Sequence, residues 1–451
     1  MSQSFPIATE PDPVEIDPAS AAIPAVLPGI TLSQQQWQAL QALEAFIHSD
    51  EKIYLLTGYA GTGKTTLLQA LIARLQQRYD GRPIALTALS NKATKVLQSM
   101  AYRWGCEVDC MTCCKLLGLK PVINKETGGQ TFEADQGRKN LTTEYDLVVV
   151  DECSMINQEM WDLLVNSVSS LTQGTQLLFV GDSAQLPPVG EEKAPCFERI
   201  IYRSDLTEVI RYGGAIGLLA EDVRTHLDRP VMPRPQSDRN ETNTEGIFTL
   251  PQRDWEKLML RAFKSSAYEK DPDQVRVLAY TNNRVGYLNN KIRATIYGDK
   301  AARFVAGERL VAKNVCLGKD SILLQTSEEC TVLAAYLTRF EGWLVWELEI
   351  ETEEHQERTL RVLHEDEQSR FKGLLSDYSE KKQWMTFWDY KQLFHEVSYA
   401  YSLTVHKSQG STFQDVFVDV PNLMLNRKVT ERNQLYYVAF TRAAKRLFLC
   451  Q

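Results

Sequence analysis

Gly58-Tyr59-Ala60-Gly61-Thr62-Gly63-Lys64-Thr65 is the stretch whose residue types and spacing speak most directly of chemistry. Glycines let a chain fold tightly enough for several N–H groups to face one phosphate chain. An apolar run, Ile53 to Thr57, precedes it, and a helical pattern follows from Thr66 through Leu67, Leu68, Leu71, Ile72 and Leu75. Strand, glycine loop, helix is the context a phosphate-binding loop requires, with the helix N-terminus adding positive potential. Lys64 would reach the β- and γ-phosphates and the Thr65 hydroxyl would hold Mg²⁺. Two acids, Asp151-Glu152, end the continuous run Leu147-Val148-Val149-Val150. A buried parallel strand would present both at the sheet's ligand edge, Asp151 to hold Mg²⁺ through water and Glu152 to accept a proton from an attacking water. Gln176 to Asp182 repeats the device of strand, glycine and acid. Gln185 follows in Gln-Leu-Pro-Pro, placed to contact a γ-phosphate. Arg211, after the short run Leu206 to Ile210, is a candidate charge stabiliser.

These groups need elements to hold them. Leu32 to Ile47 reads as a helix capped by Ser33, with Trp37, Leu40, Leu43, Phe46 and Ile47 at helical spacing. A Gln near its start could read adenine, or the helix could simply pack. Pro83 to Leu89 reads as a buried strand. Ser90, Asn91 and Lys92 after it suit either phosphate contacts or a helix cap. Residues 119–145 interrupt the alternation, and Gly128-Gly129 suggests a projecting hairpin or a mobile loop. Residues 228–246 read as a linker, after which Val275 to Tyr280 begins a second α/β unit. From Phe304 to His395 short β-like runs suggest a small barrel. Trp384, Phe387, Trp388, Tyr390 and Phe394 near its end either pack or stack on bases. The α/β pattern returns at Val397 to Ser402, and Arg446 to Leu449 closes it.

The chain has 451 residues, enough for two or three domains, with 43% hydrophobic and 24% charged residues and a formal net charge of −8. No global positive field advertises a polynucleotide, so any such groove must be locally basic. No run is long enough to cross a bilayer and no cleaved signal is visible, so a cytoplasmic, membrane-free protein is expected. Residues 1–30, rich in Pro and Ala, read as a disordered tail. Of nine cysteines, Cys106, Cys110, Cys113 and Cys114 cluster, but their spacing fits no usual zinc knuckle. They read as buried or half-buried thiols.

The ordered set GYAGTGKTT, VVVDECSMI, FVGDSAQLPPVG, LTEVIR, TVHKSQGST and YVAFTRA resembles superfamily 1 DNA helicases of the RecD-like and Dda-like 1B group, from about Leu32 to the C-terminus. The resemblance implies an α/β fold of two RecA-like parallel-sheet P-loop lobes with a small hairpin insertion and an inserted SH3-like β-barrel. Residues 31–212 would form lobe 1A with its hairpin at about 119–145. Residues 213–303 and 396–451 would form lobe 2A, and 304–395 the barrel. ATP and Mg²⁺ would lie between the lobes, contacted by Gln36 as adenine reader and by Gly58, Gly61, Thr62, Gly63, Lys64, Thr65 and Thr66. Arg211 and Arg442 align with the family's finger arginines and Gln185 with its γ-phosphate sensor. Ser90, Asn91, Lys92 and Thr112 would meet DNA from one lobe; Cys114 stands where a His is common after Thr112. Thr404, His406, Lys407, Ser408, Gln409 and Gly410 align with the motif that couples nucleotide state to DNA. The implied activity is an ATP-dependent helicase, 5′ to 3′, acting as a monomer on single strands and single-strand/duplex junctions alongside replication or repair proteins. An RNA-directed relative and a non-processive nucleotide switch are the competing readings.

Overall fold

The computed structural model describes residues 31–78, 83–123, 130–135, 137–169, 174–208, 214–232, 235–318 and 322–451. The first lobe is built on six parallel strands in the spatial order Asp109–Thr112, Ile84–Ala88, Leu147–Val150, Gln176–Gly181, Ile53–Gly58 and Arg203–Leu206. The central strands are mostly apolar because both faces are covered, with Thr57, Thr87 and Gln176 as buried polar exceptions. Alternate residues serve opposite layers. Leu56, Leu86, Val149 and Leu178 pack under helices Gln34–Ile47, Lys64–Arg78 and Asn91–Trp104. Leu55, Ala85, Val148, Val150 and Phe179 pack on Met160, Trp161 and Leu164 of helix Gln158–Ser169. Since all six strands run the same way, Gly58, Asp151, Asp182, Ser90 and Thr112 emerge at one edge.

The second lobe has the order Ser402–Thr404, Val275–Ala279, Phe413–Val418, Ala443–Cys450, Gly246–Leu250 and Asp238–Arg239, parallel except for the last pair. Asp238–Arg239 falls within the stretch expected to be a linker. Helix Val429–Thr441 lies on one face, with Leu435, Tyr437 and Val438 against Leu278, Val416 and Leu447. Trp255, Met259, Leu288 and Ile292 cover the other face.

The segment expected as a barrel holds a five-stranded antiparallel sheet, ordered Glu357–Leu363, Trp343–Thr352, Glu329–Phe340, Arg309–Ala312 and Val397–Tyr399, beside a small ribbon of Cys316–Leu317 and Ile322–Leu324. Its two edge strands are not paired in a ladder. They approach at His395, whose N–H donates to Arg361 O at 2.7 Å and whose Nδ1 accepts from Arg361 N at 2.8 Å. Among the described residues the sheet is thus open, and helices Gln368–Glu380 and Trp384–Lys391 fill much of the remainder of the segment. Val397–Tyr399, expected to reopen the α/β pattern, instead pairs with Arg309–Ala312, and the return to the lobe begins at Ser402. A paired hairpin forms in the first lobe from Leu119–Ile123 and Gln130–Ala134; its turn, including Gly128-Gly129, lies outside the described residues, as do the tail 1–30 and Arg211.

Candidate active site and nucleic-acid interface

The phosphate loop follows strand Ile53–Gly58 and leads into helix Lys64–Arg78. Gly61 and Gly63 take φ of 82° and 81°, which L side chains rarely adopt. At Gly58 a Cβ would stand 2.6 Å from Thr62 Oγ1 and 2.9 Å from Leu206 Cβ, so the turn is shaped around its absence. Thr62 is buried and its hydroxyl donates to Tyr59 O at 2.9 Å. Lys64 Nζ donates to the loop's own Gly58 O at 2.5 Å and Tyr59 O at 3.1 Å. Thr65 and Thr66 are half-buried in the helix's first turn.

Gln36, expected to read adenine, is buried and engaged at both ends of its amide. Its Nε2 donates to Thr62 O at 3.1 Å and its Oε1 accepts from Ser33 N at 3.0 Å, completing a capping box. The contacts place it as a brace under the loop. Its neighbour Gln35 accepts from Thr207 N and Glu208 N at 3.0 and 2.9 Å, tying the helix to the segment that leads toward Arg211.

Asp151 N donates to Thr87 O at 2.8 Å. Burial, and next the charge of Glu152, push the Asp151 carboxyl up to about 7, against the pull of Lys64. Glu152 sits at φ 52°, a left-handed conformation costing a non-glycine residue about 1 kcal/mol or more, of the kind that clusters at functional sites. Two adjacent carboxylates at the strand end, and a threonine hydroxyl in the first turn of the helix after the loop, are hard-oxygen donors of the sort Mg²⁺ takes. The residues present therefore fit that ion, with Thr65 and Asp151 as the groups that would hold it.

Asp182 is fully buried. Its Oδ1 accepts from Ala184 N at 2.9 Å and its Oδ2 from Ala60 N at 3.1 Å. Gln185 is 6% exposed, and its Oε1 is a buried polar atom with no partner among the described residues. An open amide oxygen accepts a hydrogen bond, so it suits a water or hydroxyl donor in this place, and only the NH₂ end of the amide could contact a phosphate oxygen. A cavity of about 550 Å³ opens here, lined by Gly58, Tyr59, Ser154 and Gln185 from the first lobe and Leu227 and Gln434 from the second.

Of the two expected finger arginines, only Arg442 lies among the described residues. Arg442 is buried in its own lobe, with Nε on Val438 O at 3.1 Å, Nη1 on Ser411 O at 3.1 Å and Nη2 on Thr441 Oγ1 at 3.2 Å. In this conformation its donors serve the end of helix Val429–Thr441, not the phosphate loop. Among the described residues Arg224 stands at the loop, its guanidinium 3.8 Å from the centroid of the Tyr59 ring.

The expected strand-binding groups divide into three sets. Ser90 and Thr112 are helix caps, accepting from Ala93 N at 3.1 Å and Lys115 N at 3.2 Å, and Ser408 Oγ donates to Val405 O at 2.7 Å. Asn91 Nδ2 and Lys92 Nζ reach across to the inserted sheet, meeting Glu328 Oε2 at 3.2 Å and Glu329 Oε1 at 3.3 Å. Gln409 Nε2 bridges the lobes to Leu186 O at 3.3 Å, and Thr404 Oγ1 accepts from Lys407 N at 3.4 Å. Burial lowers the basicity of His406, which lies 6.3 Å from the Tyr280 ring. Burial, and then Lys313, lowers that of Lys407. A half-buried lysine repelled by an exposed one suits a phosphate. Of the aromatic cluster, Trp388 and Phe394 are buried while Trp384 is exposed. The four clustered cysteines are free thiols: Cys113 is buried, while Cys106, Cys110 and Cys114 are half-buried.

Residue pattern alone did not single out Gln434, Arg224 or Glu329, and Tyr437 stood only as the first residue of the YVAFTRA run, with no role of its own. Each acts across a boundary between lobes or inserts. The local signals were that run and a pair of acids opening a strand, at Glu328-Glu329.

A family model described as an AAA domain matches residues 31–225, and one described as a UvrD-like helicase C-terminal domain matches residues 399–450. The chain is 25% identical over 493 residues to an uncharacterized protein, R530, of Acanthamoeba polyphaga mimivirus, covering 92% of this chain and 98% of that one. It is 26% identical over 457 residues to the ATP-dependent DNA helicase dda of Enterobacteria phage T4, again covering 92% and 98%. The RecBCD enzyme subunit RecD of Mycolicibacterium smegmatis is 32% identical over 197 residues, 41% of this chain and 35% of that one. Among solved structures, the Pif1 helicase from Bacteroides in complex with ADP-AlF3 and ssDNA aligns over 93% of this chain and 92% of that one, at 15% identity and a TM-score of 0.48.

Proposed function

We propose, for a chain that belongs to the superfamily 1B helicases, that it is an ATP-dependent DNA helicase moving 5′ to 3′ along a single strand and opening the duplex it meets. The observation that carries this reading is a single edge of the first sheet where the phosphate loop, Asp151-Glu152 and Gln185 converge, with Gln434 and Gln409 of the second lobe bonded to the Gln185-Leu186 backbone.

ATP is the substrate. Lys64 would exchange the carbonyls of Gly58 and Tyr59 for phosphate oxygens, which carry full charge and bind an ammonium more strongly. Thr65 and Asp151 would hold Mg²⁺, which offsets phosphate charge when bound. Glu152 would accept the proton of a water attacking the γ-phosphorus as the bond to the ADP oxygen breaks. Arg211 and Arg442 are the proposed charge stabilisers, and Arg442 would have to leave its three partners to act. Loss of the γ-phosphate would be read at Gln185 and passed to the second lobe through Gln434 and Gln409. Asn91, Lys92, His406 and Lys407 are the proposed strand contacts. If the two lobes grip the strand unequally before and after hydrolysis, each cycle shifts it one way. Opening a base-pair step costs roughly 1.4 kcal/mol and a base captured on an aromatic ring contributes roughly 1–3 kcal/mol, so trapping plus a wedge suffices.

The test is unwinding of forked duplexes bearing only a 5′ or only a 3′ single-stranded tail, with and without ATP. Opening of the 5′-tailed substrate alone, and only with ATP, is expected. Opening of the 3′-tailed substrate alone reverses the direction, and ATP hydrolysis that opens neither removes the helicase reading.

A further inference from the structure

The phosphate loop is held from outside its own lobe. Ala60 N–H points at two acceptors, the Tyr437 hydroxyl oxygen at 2.8 Å and Asp182 Oδ2 at 3.1 Å. The Tyr437 hydroxyl donates to the same Asp182 Oδ2 at 2.7 Å, so the three groups close a triangle with members in both lobes. Tyr437 and Asp182 are 1% and 0% exposed, so both side chains are shielded from solvent. Burial, and next the charge of Asp182, push the Tyr437 phenol far above its usual range, so it keeps its proton and remains a donor.

The same two helices take hold of the residues on either side. Gln434 lies three residues before Tyr437 on helix Val429–Thr441, hence on the same face, and donates to Gln185 O at 3.1 Å. Arg224, from helix Ala215–Thr225 packed on Val429–Thr441, covers the Tyr59 ring at 3.8 Å. Tyr59 O is one of the two carbonyls that hold Lys64. Ala184 and Leu186, flanking the proposed sensor, are buried in the second lobe's own core cluster. A tyrosine serving only to fill a core needs no acceptor in the neighbouring lobe. This one shares its acceptor with the loop.

We propose that Tyr437 is a positioning residue whose hydroxyl latches the phosphate loop and Asp182 to the second lobe, so that lobe closure sets where Tyr59-Ala60, and through them Lys64, are held. The proposal rests on the helicase reading and adds to it the route by which the second lobe's state reaches the catalytic loop.

Tyr437→Phe keeps the ring and removes the oxygen. Three quantities are read on the full chain: kcat and KM for ATP with saturating oligothymidylate, the Kd for labelled oligothymidylate with and without a non-hydrolysable ATP analogue, and Tm. The expected result is a fall in kcat of about tenfold or more, the equivalent of one hydrogen bond to a charged group. The KM for ATP stays within about threefold, and the ratio of the two Kd values moves toward one. Tm and the Kd without nucleotide stay near wild type. Asp182→Asn, which retains an acceptor oxygen but loses the charge, is expected to shift the ratio in the same direction by less. A purely structural tyrosine would lower Tm and leave the Kd ratio intact. An unaltered ratio in both variants overturns the latch while a DNA-stimulated wild-type ATPase leaves the helicase reading standing. A wild-type chain whose ATPase ignores DNA overturns both.

Discussion

Lys64 spends two donors on carbonyls of the loop it belongs to, at 2.5 and 3.1 Å, and this makes it an indicator of what the loop is for. An ammonium needs acceptors, and neutral carbonyls are the weaker ones. Replacing it with alanine is expected to abolish DNA-stimulated ATP hydrolysis while leaving single-strand affinity within about threefold, since no strand contact is assigned to it. Undiminished turnover in a steady-state phosphate-release assay would falsify the catalytic assignment. Glu329 makes a different prediction. It is 2% exposed, with Lys92 Nζ on Oε1 at 3.3 Å and the guanidinium groups of Arg276 and Arg309 on Oε2 at 3.2 Å each. Burial alone would raise its carboxyl, but Arg276, Lys92 and Arg309 hold it down at about 2 from an ordinary 4.5. A depressed acid stabilises the folded state fully above its unfolded value and less as the pH falls through its folded one. Stability is therefore expected to drop between about pH 4.5 and 2 in a denaturant series, and Glu329→Gln to flatten that limb. At neutral pH the same substitution takes a carboxylate from three cations, of which Arg276 keeps Asp273 at 2.8 Å and Arg309 keeps Glu353 at 3.8 Å, so the cost falls below the roughly 3–5 kcal/mol of a fully broken buried pair. A variant with an unchanged acid limb removes this ion cluster from the account.

At the scale of elements, what was readable followed from local rules. Ile53–Gly58, Leu147–Val150 and Gln176–Gly181 are apolar on both faces and end in glycine or acid, so both their existence and their ligand edge were visible. Asp109–Thr112 was not, because a four-residue edge strand with exposed Asp109 lacks the apolar run that marks a central one. Val397–Tyr399 was assigned to the wrong sheet because β-like runs identify a strand and not its partner. The helices over Gln368–Glu380 and Trp384–Lys391 were missed because few of their residues are buried, leaving little periodicity to read. The same limit explains Gln36: spacing showed a glutamine at a helix start, while the cap and the brace depend on where Thr62 comes to lie. The hairpin Leu119–Ile123/Gln130–Ala134 pairs Ile123 with Gln130 and is anchored by Phe132 N donating to Glu159 Oε1 at 3.2 Å. Replacing residues 124–129 with Asn-Gly, which closes a hairpin between directly paired residues, should preserve the ladder. Single-strand-stimulated ATPase is expected to persist and unwinding of a 5′-tailed fork to fall at least about tenfold if the hairpin is the wedge that splits the duplex. Equal loss of both activities removes the wedge.

The whole molecule carries a formal charge of −8, so strand affinity must come from a local field and not from the body. Lys407, its basicity lowered by burial and then by Lys313, is the proposed strand contact in the second lobe that tests this. Each phosphate contact on a single strand contributes about 0.7 to the slope of log affinity against log salt. Lys407→Ala is expected to reduce that slope by about 0.7 in fluorescence titrations with oligothymidylate, and an unchanged slope takes Lys407 off the strand. The second lobe's sheet, described above as interrupted by the inserted one, has a further consequence for biogenesis. Ala443–Cys450 lies between Gly246–Leu250 and Phe413–Val418, so Gly246–Leu250 has no parallel neighbour until translation has run through Cys450. At ~5–20 residues per second the ribosome takes roughly ten seconds or longer over that interval. The first lobe, contiguous in the chain, can meanwhile fold alone, and the nascent second lobe presents bare strand edges that a holding chaperone would shield.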